Sequence, residues 1–539
     1  LAVRGKLVPQ DAGDEPASEF LKQIGKAKAN LIREGVIRKP RETDSKDEIS
    51  RPFSIPHTWQ WVRLDQVGAI IGGGTPSSND SACLADGGTG HAWLTPADLG
   101  GFTGRYIAHG ARDLTDFGLK SSSATLMPAG TVLFTSRAPI GYVAVAEKPI
   151  TTNQGFKSVV PFISDCSLFI ATVLKSFAKG INDNAPGTTF KEVSGKIVAA
   201  IPFPLPPVAE QKRIVAKVDQ LMALCDALER ESADAIVAHQ TLVESLLGAL
   251  VNSADAAGLA RHWARLESNF DTLFTTQASV GALEQTILEL AVRGKLVEQD
   301  AGDEAASELL KQTAKGKADL IRQGLAKRDK PLPGLDHSSA PFALPSGWAW
   351  ARFPELGAFE RGKSKHRPRN DPKLFSPGIY PLIQTGEVAR ATGLITEAHS
   401  YYSELGLAQS KLWKKGTLCI TIAANIADVA ILGFDACFPD SVVGFVPAKP
   451  INDPNYFLYF IRTAKADLLR FAPSTAQKNI NLGILETLLI PLPPLAEQRR
   501  IVIKVDGLMA LCAALKARIA EAGQIQRDLA DAITYRAAA

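Results

Sequence analysis

The chain has 539 residues, 45% of them apolar, a formal net charge of +4 and six cysteines. Such a length holds about three or four ordinary domains, and so small a net charge gives no general argument for nucleic acid, leaving any basic surface local. The cysteines (Cys83, Cys166, Cys225, Cys419, Cys437, Cys512) form no C-x-x-C pair and no His/Cys cluster, which points away from zinc and redox chemistry and toward free, mostly buried thiols; no apolar run approaches the roughly 20 residues of a membrane span, and no secretory leader stands out.

The first thirty-five residues, "LAVRGKLVPQDAGDEPASEFLKQIGKAKANLIREG", return almost unchanged from Leu290 as "LAVRGKLVEQDAGDEAASELLKQTAKGKADLIRQG". A period this long is no solenoid, whose units run to roughly 20–50 residues; it implies two large copies of one unit. Further pairs follow in order. "SIPHTWQWVRLDQVG" at Ser54–Gly68 answers "ALPSGWAWARFPELG" at Ala343–Gly357. "APGTTFKEVSGKIVAAIPFPLPP" answers "APSTAQKNINLGILETLLIPLPP", and "AEQKRIVAKVDQLMALCDAL" answers "AEQRRIVIKVDGLMALCAAL". Between these anchors the halves diverge, so similar ends should do one job twice and different middles should do one kind of job on different targets.

Residues 1–51 read as part of a helical region followed by a charged connector. The middles, 52–207 and 341–494, read as mixed α/β domains: short β-rich runs ("GTVLFTS", "GYVAVA", "GTLCITI", "SVVGFVP") alternate with Gly/Pro/Asn/Asp turns, and helices are predicted at "SLFIATVLKSFAKG" and "PNYFLYFIRTAKADLLRFA". Trp59, Trp61, Trp348 and Trp350 fit a repeated core or domain-edge feature. The connectors between Pro40 and Pro52 and between Lys330 and Pro341 read as exposed.

Residues 208–340 and 495–539 read as helical regions. "PP" before "AEQ" is a helix start, with an acid suited to the dipole. Ile214, Val218, Leu221, Cys225 and Leu228 then recur in steps of four and three, as do Ile501, Val505, Leu508, Cys512 and Leu515, continuing through Ile519, Ala522, Leu529 and Ile533. That is the seam of a helix packed along another helix, interrupted in the first copy at Ser232, Ala235 and His239. A single helix over Val208–Val251 would be about 65 Å long, enough to hold two domains two DNA turns apart. "SVGALEQTILELAVRGKLV" is predicted as a second long helix, capped by Ser279 and running back along the first. The C-terminal "RDLADAITYRAAA" resembles the start of that helix, and "LAVRGKLV" at the N-terminus resembles its continuation. The expected architecture is therefore two divergent α/β recognition domains joined by long antiparallel helices in a pseudo-two-fold, circularly permuted repeat, with further residues expected ahead of Leu1.

This arrangement resembles the specificity subunit of a type I restriction–modification system. The carriers are "IPFPLPPVAEQKRIV", "LIPLPPLAEQRRIV", the twice-written "LAVRGKLV" and "NQGF" at Asn153–Phe156; the second half has "FPDSVVGF" at Phe438–Phe445 instead, and Asn252–Thr276 is an added segment. The resemblance spans the whole chain. It implies a non-catalytic cytoplasmic protein that reads a bipartite double-stranded DNA target through two recognition domains and docks two methylating subunits and ATP-dependent nuclease/translocase subunits. S-adenosylmethionine, ATP and magnesium would lie on those partners, with no cofactor on this chain and no membrane. Alternatives are a stand-alone modification methyltransferase with an unrecognised site and a non-specific scaffold. Against the first, "DPNYF" at Asp453–Phe457 lacks the second proline of a target-base motif and reads as a helix start. "IGGGTPS" at Ile71–Ser77 matches neither a dinucleotide nor a P-loop fingerprint, leaving a phosphate-contacting turn or a flexible loop.

Candidate DNA contacts follow from local chemistry. In "RGKSKHRPRND", Lys363, Lys365, Arg367 and Arg369 can grip phosphates, while the arginines and Asn370 can read base edges bidentately; a solvated charged loop is the bland alternative. The first domain offers polar turns: Thr75, Ser77, Ser78 and Asn79, then Ser136 and Arg137, then Thr188 and Lys191. Gln477 and Lys478, in the matching "STAQK", complete the set.

Overall fold

A computed structural model describes residues 1–34, 49–76, 81–187, 191–324, 326–328, 334, 340–470 and 480–538. The chain divides into two compact units, Leu1–Ser232 and Ala233–Ala537.

In the first unit the α/β domain is clasped where its ends meet: Gln60–Arg63 pairs antiparallel with Pro202–Leu205. Inside lies a five-stranded sheet in the order Gly68–Gly72, Lys157–Pro161, Val132–Ser136, Ile140–Ala146, Tyr106–Ile107. One face packs under the helix Ser167–Asp183, taking Val132 and Phe134 into a core with Phe169, Ile170 and Val173. The other face sends Leu133 and Ala144 against Ala92 and Leu94 of a small four-stranded sheet. A middle layer covered on both sides explains why Val132–Ser136 is buried at every position rather than alternating.

The second unit repeats these layers with unrelated side chains. Ala349–Ala351 pairs with Ile490–Leu492. The five-stranded order is Gly357–Arg361, Val442–Pro447, Leu418–Thr421, Val429–Leu432, Leu394–Ile395, again one helix, Asn455–Arg470, on one face. Leu418 and Ile420 face that helix, and Cys419 faces the small sheet. The small sheets share a parallel pair, His91–Leu94 with Thr151–Thr152 and Tyr380–Leu382 with Ala436–Cys437. They differ in the added edge strand, Leu84–Asp86 in one and Leu412–Trp413 in the other. The predicted connectors fall mostly outside the described residues.

Val208–Val251 and Leu495–Ala538 are each a single 44-residue helix. The return helix is shorter than expected. It runs over Gln277–Val292 and is capped by Thr276, whose hydroxyl accepts from the Ser279 N–H (3.0 Å), so Ser279 closes a capping box rather than being the cap. It stops because Gly294 turns left-handed at φ 66°, and a Cβ there would meet Pro345 at 2.5 Å; Gly5 does the same against Pro56 at 2.4 Å. The repeated Gly of "VRGK" thus abuts the repeated Pro of "P-x-x-W".

Five cysteines are buried and Cys225 is exposed. Burial pushes the Cys166 thiol up to about 12. One expectation is corrected: Val208–Val251 does contain an 18-residue stretch apolar enough, by length and composition, to cross a membrane. Its apolar content is that of the helix seam, whose counterpart in Leu495–Ala538 packs against another helix of the chain.

Candidate nucleic-acid interface

The basic loop of the second unit leaves the edge of the five-stranded sheet at Arg361 and is held tightly. A Cβ on Gly362 would lie 2.3 Å from the Phe438 and Pro439 carbonyl oxygens, so the backbone passes where only glycine fits. Lys363 N–H donates to Phe438 O (3.2 Å), Ser410 Oγ to Lys363 O (2.9 Å), and the Lys365 and His366 amides share Gln409 Oε1 (2.6 and 3.1 Å). His366 Nε2 meets Asp371 at 2.9 Å, and the Lys373 amide with this histidine holds the Asp371 carboxyl below its usual range.

The cations then divide. Arg369 binds the Asp440 carboxylate with both oxygens (3.0 and 3.1 Å), Arg361 donates to the Asp440 carbonyl (2.9 Å), and Arg367 folds back on Ser364 O and His366 O (2.7 and 2.8 Å). Among the described residues no protein group pairs with the Lys363 or Lys365 ammonium or with the Asn370 amide, and Lys365, Arg367, Arg369 and Asn370 are exposed. Arg361 and Lys363 also line an open cleft of about 550 Å³ with Lys327, Arg328 and Glu360. Lys411 adds a cation 3.4 Å from Glu360 and over the Trp413 ring at 3.9 Å; burial lowers its pKa. Lys327, Arg328 and Lys411 were not visible as contributors, lying 36 and 35 residues before and 48 residues after Lys363 with no motif to link them.

In the first unit the same position, after Gly68–Gly72, is occupied by "GGT". These glycines form neither a free loop nor an open anion nest. A Cβ on Gly73 would lie 1.9 Å from Asn153 O and one on Gly74 2.2 Å from Ala124 N, while Gly74 O accepts from Trp93 Nε1 (3.0 Å). Thr75 is exposed and its hydroxyl donates to Gln154 Oε1 of "NQGF". Gly155 O in turn accepts from Ser136 N and Oγ (2.8 and 3.1 Å). Arg137 bridges to Glu192, with Nη1 3.4 Å from its carboxylate and Lys157 Nζ at 3.7 Å. Lys191 is exposed and donates to Asn182 O (3.0 Å).

Thr75, Arg137 and Lys191, far apart in sequence, are thus linked through one run of neighbours. Ser136 is corrected: it is fully buried and its hydroxyl is spent on Gly155 O, so it cannot meet a duplex. Ser77, Ser78, Asn79, Thr188, Gln477 and Lys478 lie outside the described residues. "NQGF" and "FPDSVVGF" occupy matching turns, each gripping the loop that follows the first sheet strand, through Gln154 in one unit and Asp440 in the other. "DPNYF" is a helix start, with Asp453 accepting from the Asn455 N–H (2.9 Å) and Tyr456 and Phe457 buried.

A second pair of sites, at the base of each α/β domain, joins two features that the sequence offered only separately, the repeated tryptophans and the proline-led helix starts. Trp59 Nε1 donates to Glu210 (2.8 Å), and Trp348 Nε1 to Glu497 (2.9 Å), both carboxylates being 1% exposed. Burial raises both carboxyl pKa values. The matched Trp, Glu and Arg of the two copies were the available signal.

Comparison with known proteins agrees with this duplicated design. The family described as "Type I restriction modification DNA specificity domain" matches residues 56–237 and 345–522. The chain is 33% identical to the type I restriction enzyme EcoEI specificity subunit of Escherichia coli and 32% identical to the EcoAI specificity subunit of the same organism, in each case over 99% of this chain and 91% of the relative. A solved chain from work on the assembly and conformational transition of the type I R-M system has the same fold, with a TM-score of 0.51 at 21% identity, covering 89% of this chain and 98% of the other. The chain therefore belongs to the specificity subunits of type I restriction–modification systems, the non-catalytic components that recognise DNA sequence.

Proposed function

We propose that each unit reads one half of a bipartite duplex target through the edge built from the loop after its first sheet strand. The observation that carries this is the substitution of chemistry on a constant frame: two domains with the same layers present "GGT" locked to Gln154 at one edge and a basic loop locked to Asp440 at the other. Phosphate contacts from Lys363 and Lys365 would position the duplex, and Arg367, Arg369, Asn370, Thr75, Arg137 and Lys191 are the candidates for base or backbone contact. Arg367 and Arg369 would exchange internal partners for DNA.

The repeated helical ends are assigned to docking two methylating subunits, which bring S-adenosylmethionine. ATP- and magnesium-dependent nuclease/translocase subunits complete the assembly, in the cytoplasm. This chain contributes recognition and spacing.

Exchange of 341–494 for the matching segment of a relative tests the reading. Sequencing of methylated sites in cells carrying the hybrid should show one half of the target changed, with the other half and the gap retained. Adding one turn to Val208–Val251, about 5.4 Å, should widen the gap by one or two base pairs and leave both halves. An exchange that alters both halves would end the modular account, as would equal affinity of the chain for random and cognate duplexes.

A further inference from the structure

The joint between each recognition domain and its long helix has three ties, written twice. The domain enters through the strand that begins one residue after Trp59 and leaves through Pro202–Leu205, which runs by two prolines into the helix at Val208. Consecutive side chains of the first helical turn hold both strands: Glu210 takes the Trp59 N–H at entry (2.8 Å), and Gln211 Nε2 donates to Pro206 O at exit (3.0 Å). Two residues on, Arg213 forks onto Asp14 (2.6 and 3.1 Å), tying in the segment after "LAVRGKLV". The second unit repeats this as Trp348 to Glu497 (2.9 Å), Gln498 to Pro493 O (2.9 Å) and Arg500 onto Asp303 (2.6 and 3.4 Å). Glu210, Gln211, Glu497 and Gln498 are all buried.

We infer that Trp59–Glu210 and Trp348–Glu497 are positioning pairs for DNA recognition, each fixing the direction in which a recognition domain leaves its own helix. Apolar packing alone leaves sliding freedom, whereas a buried N–H to carboxylate bond fails steeply with angle. A slack of about 10° over a lever of roughly 20 Å moves a reading edge by about 3.5 Å, close to one base-pair rise. The pairs touch no DNA and act through the domains they orient. The inference rests on the bipartite reading above.

The test uses the assembled methyltransferase in cells, scored as methylation of sites mismatched in one half relative to intact sites. Trp59→Phe keeps the ring that packs edge-on to Phe169 at 6.0 Å but removes the N–H. It should raise that ratio about tenfold for one half-site, the scale of one lost base contact, and Trp348→Phe should do so for the other half. Glu210→Gln, which keeps an acceptor for the indole, should restore the native ratio that Glu210→Ala loses. Lower methylation at all sites with unchanged ratios, or both halves relaxed equally by one variant, would reduce the pairs to packing. Should Trp59→Phe not fold, Trp348→Phe carries the test in the second unit, and an unchanged ratio there would equally overturn the inference. A native chain that methylates no bipartite site would sink the underlying reading; a bipartite native pattern with unmoved variants sinks only this inference.

Discussion

Among the described residues, the same helix seam is covered in the second unit and exposed in the first. Along Leu495–Ala538, Cys512 is 4% exposed, and Leu508, Met509, Leu515 and Ile519 pack into the core under the helix Gln277–Val292. Gln277 caps that contact on Lys516 O (2.6 Å) and Glu284 pairs with Lys516 Nζ (2.7 Å). Along Val208–Val251 the matching Met222 and Leu228 are 57% and 56% exposed, and Cys225 is exposed. Among the described residues a near-identical sequence has two environments: the four-three pattern encodes the capacity to be covered, and in the second copy Gln277–Val292 is what covers it.

Matched substitutions should break the comparison most visibly. Cys512→Asp buries a charge that competes with Glu284 for Lys516 and should cost on the order of 3 kcal/mol; Cys225→Asp, at the equivalent exposed position, should stay within about 0.5 kcal/mol. Thermal unfolding of the two variants decides it, and equal losses would mean that the seam at Cys225 is covered too.

Thiol labelling sharpens the same point. Cys225 should react with a maleimide at least about tenfold faster than Cys512, whose thiol is buried and has its pKa raised by desolvation. Protection of Cys225 on adding the methylating subunits would place them on the open seam.

The two reading edges differ in charge, which gives a third contrast. Removing Lys363 and Lys365 should lower the salt slope of DNA binding by about one to two, one per lost phosphate contact. Thr75→Ala should leave the slope alone. An unchanged slope in the double lysine variant returns that loop to a solvated surface.

The smallest expected effect separates the two buried carboxylates. Glu210 holds donors on both oxygens, because Thr58 Oγ1 donates to Gln10 Oε1 (3.0 Å) and so aims Gln10 Nε2 at it (2.5 Å). Gly347 stands where Thr58 does, Gln299 turns to Gly294 O, and Glu497 Oε1 is left without a partner among the described residues. Both carboxyl pKa values are raised, so ionisation opposes folding: the contribution is full below the unfolded value near 4.3 and is lost as pH rises through the folded one. Glu497→Gln should therefore gain about 1 kcal/mol at pH 7 relative to pH 4, and Glu210→Gln should gain less. Melting curves at the two pH values check this.

Much of this was legible in the sequence. The period of 289 residues at Leu1 and Leu290, the turn-bounded strands and the proline-led helix starts each follow from local rules, and the helix Val208–Val251 has the bounds its pattern implies. What was not legible depends on tertiary partners. Ser136 looks like a polar turn residue until Gly155 O claims its hydroxyl. The "AEQ" acid looks like a dipole charge until Trp59, 151 residues away, donates to it. Gly73 and Gly74 of "IGGGT" look flexible until neighbouring backbone crowds them. Thr276 displaced Ser279 as the cap because both suit the role and only the chain path chooses between them.

The clasp between Gln60–Arg63 and Pro202–Leu205 also dictates an order of assembly. Gln60 pairs with Leu205 across a span of 145 residues, so its closure entropy must be met after the intervening sheets have formed. The long helix starts three residues later and its first turn completes the joint. The compact unit Leu1–Ser232 precedes its twin in the chain, so on a ribosome it can fold while the residues from Ala233 onward are still being made. Two nearly identical ends that would otherwise compete for each other's middles are thereby kept apart in time.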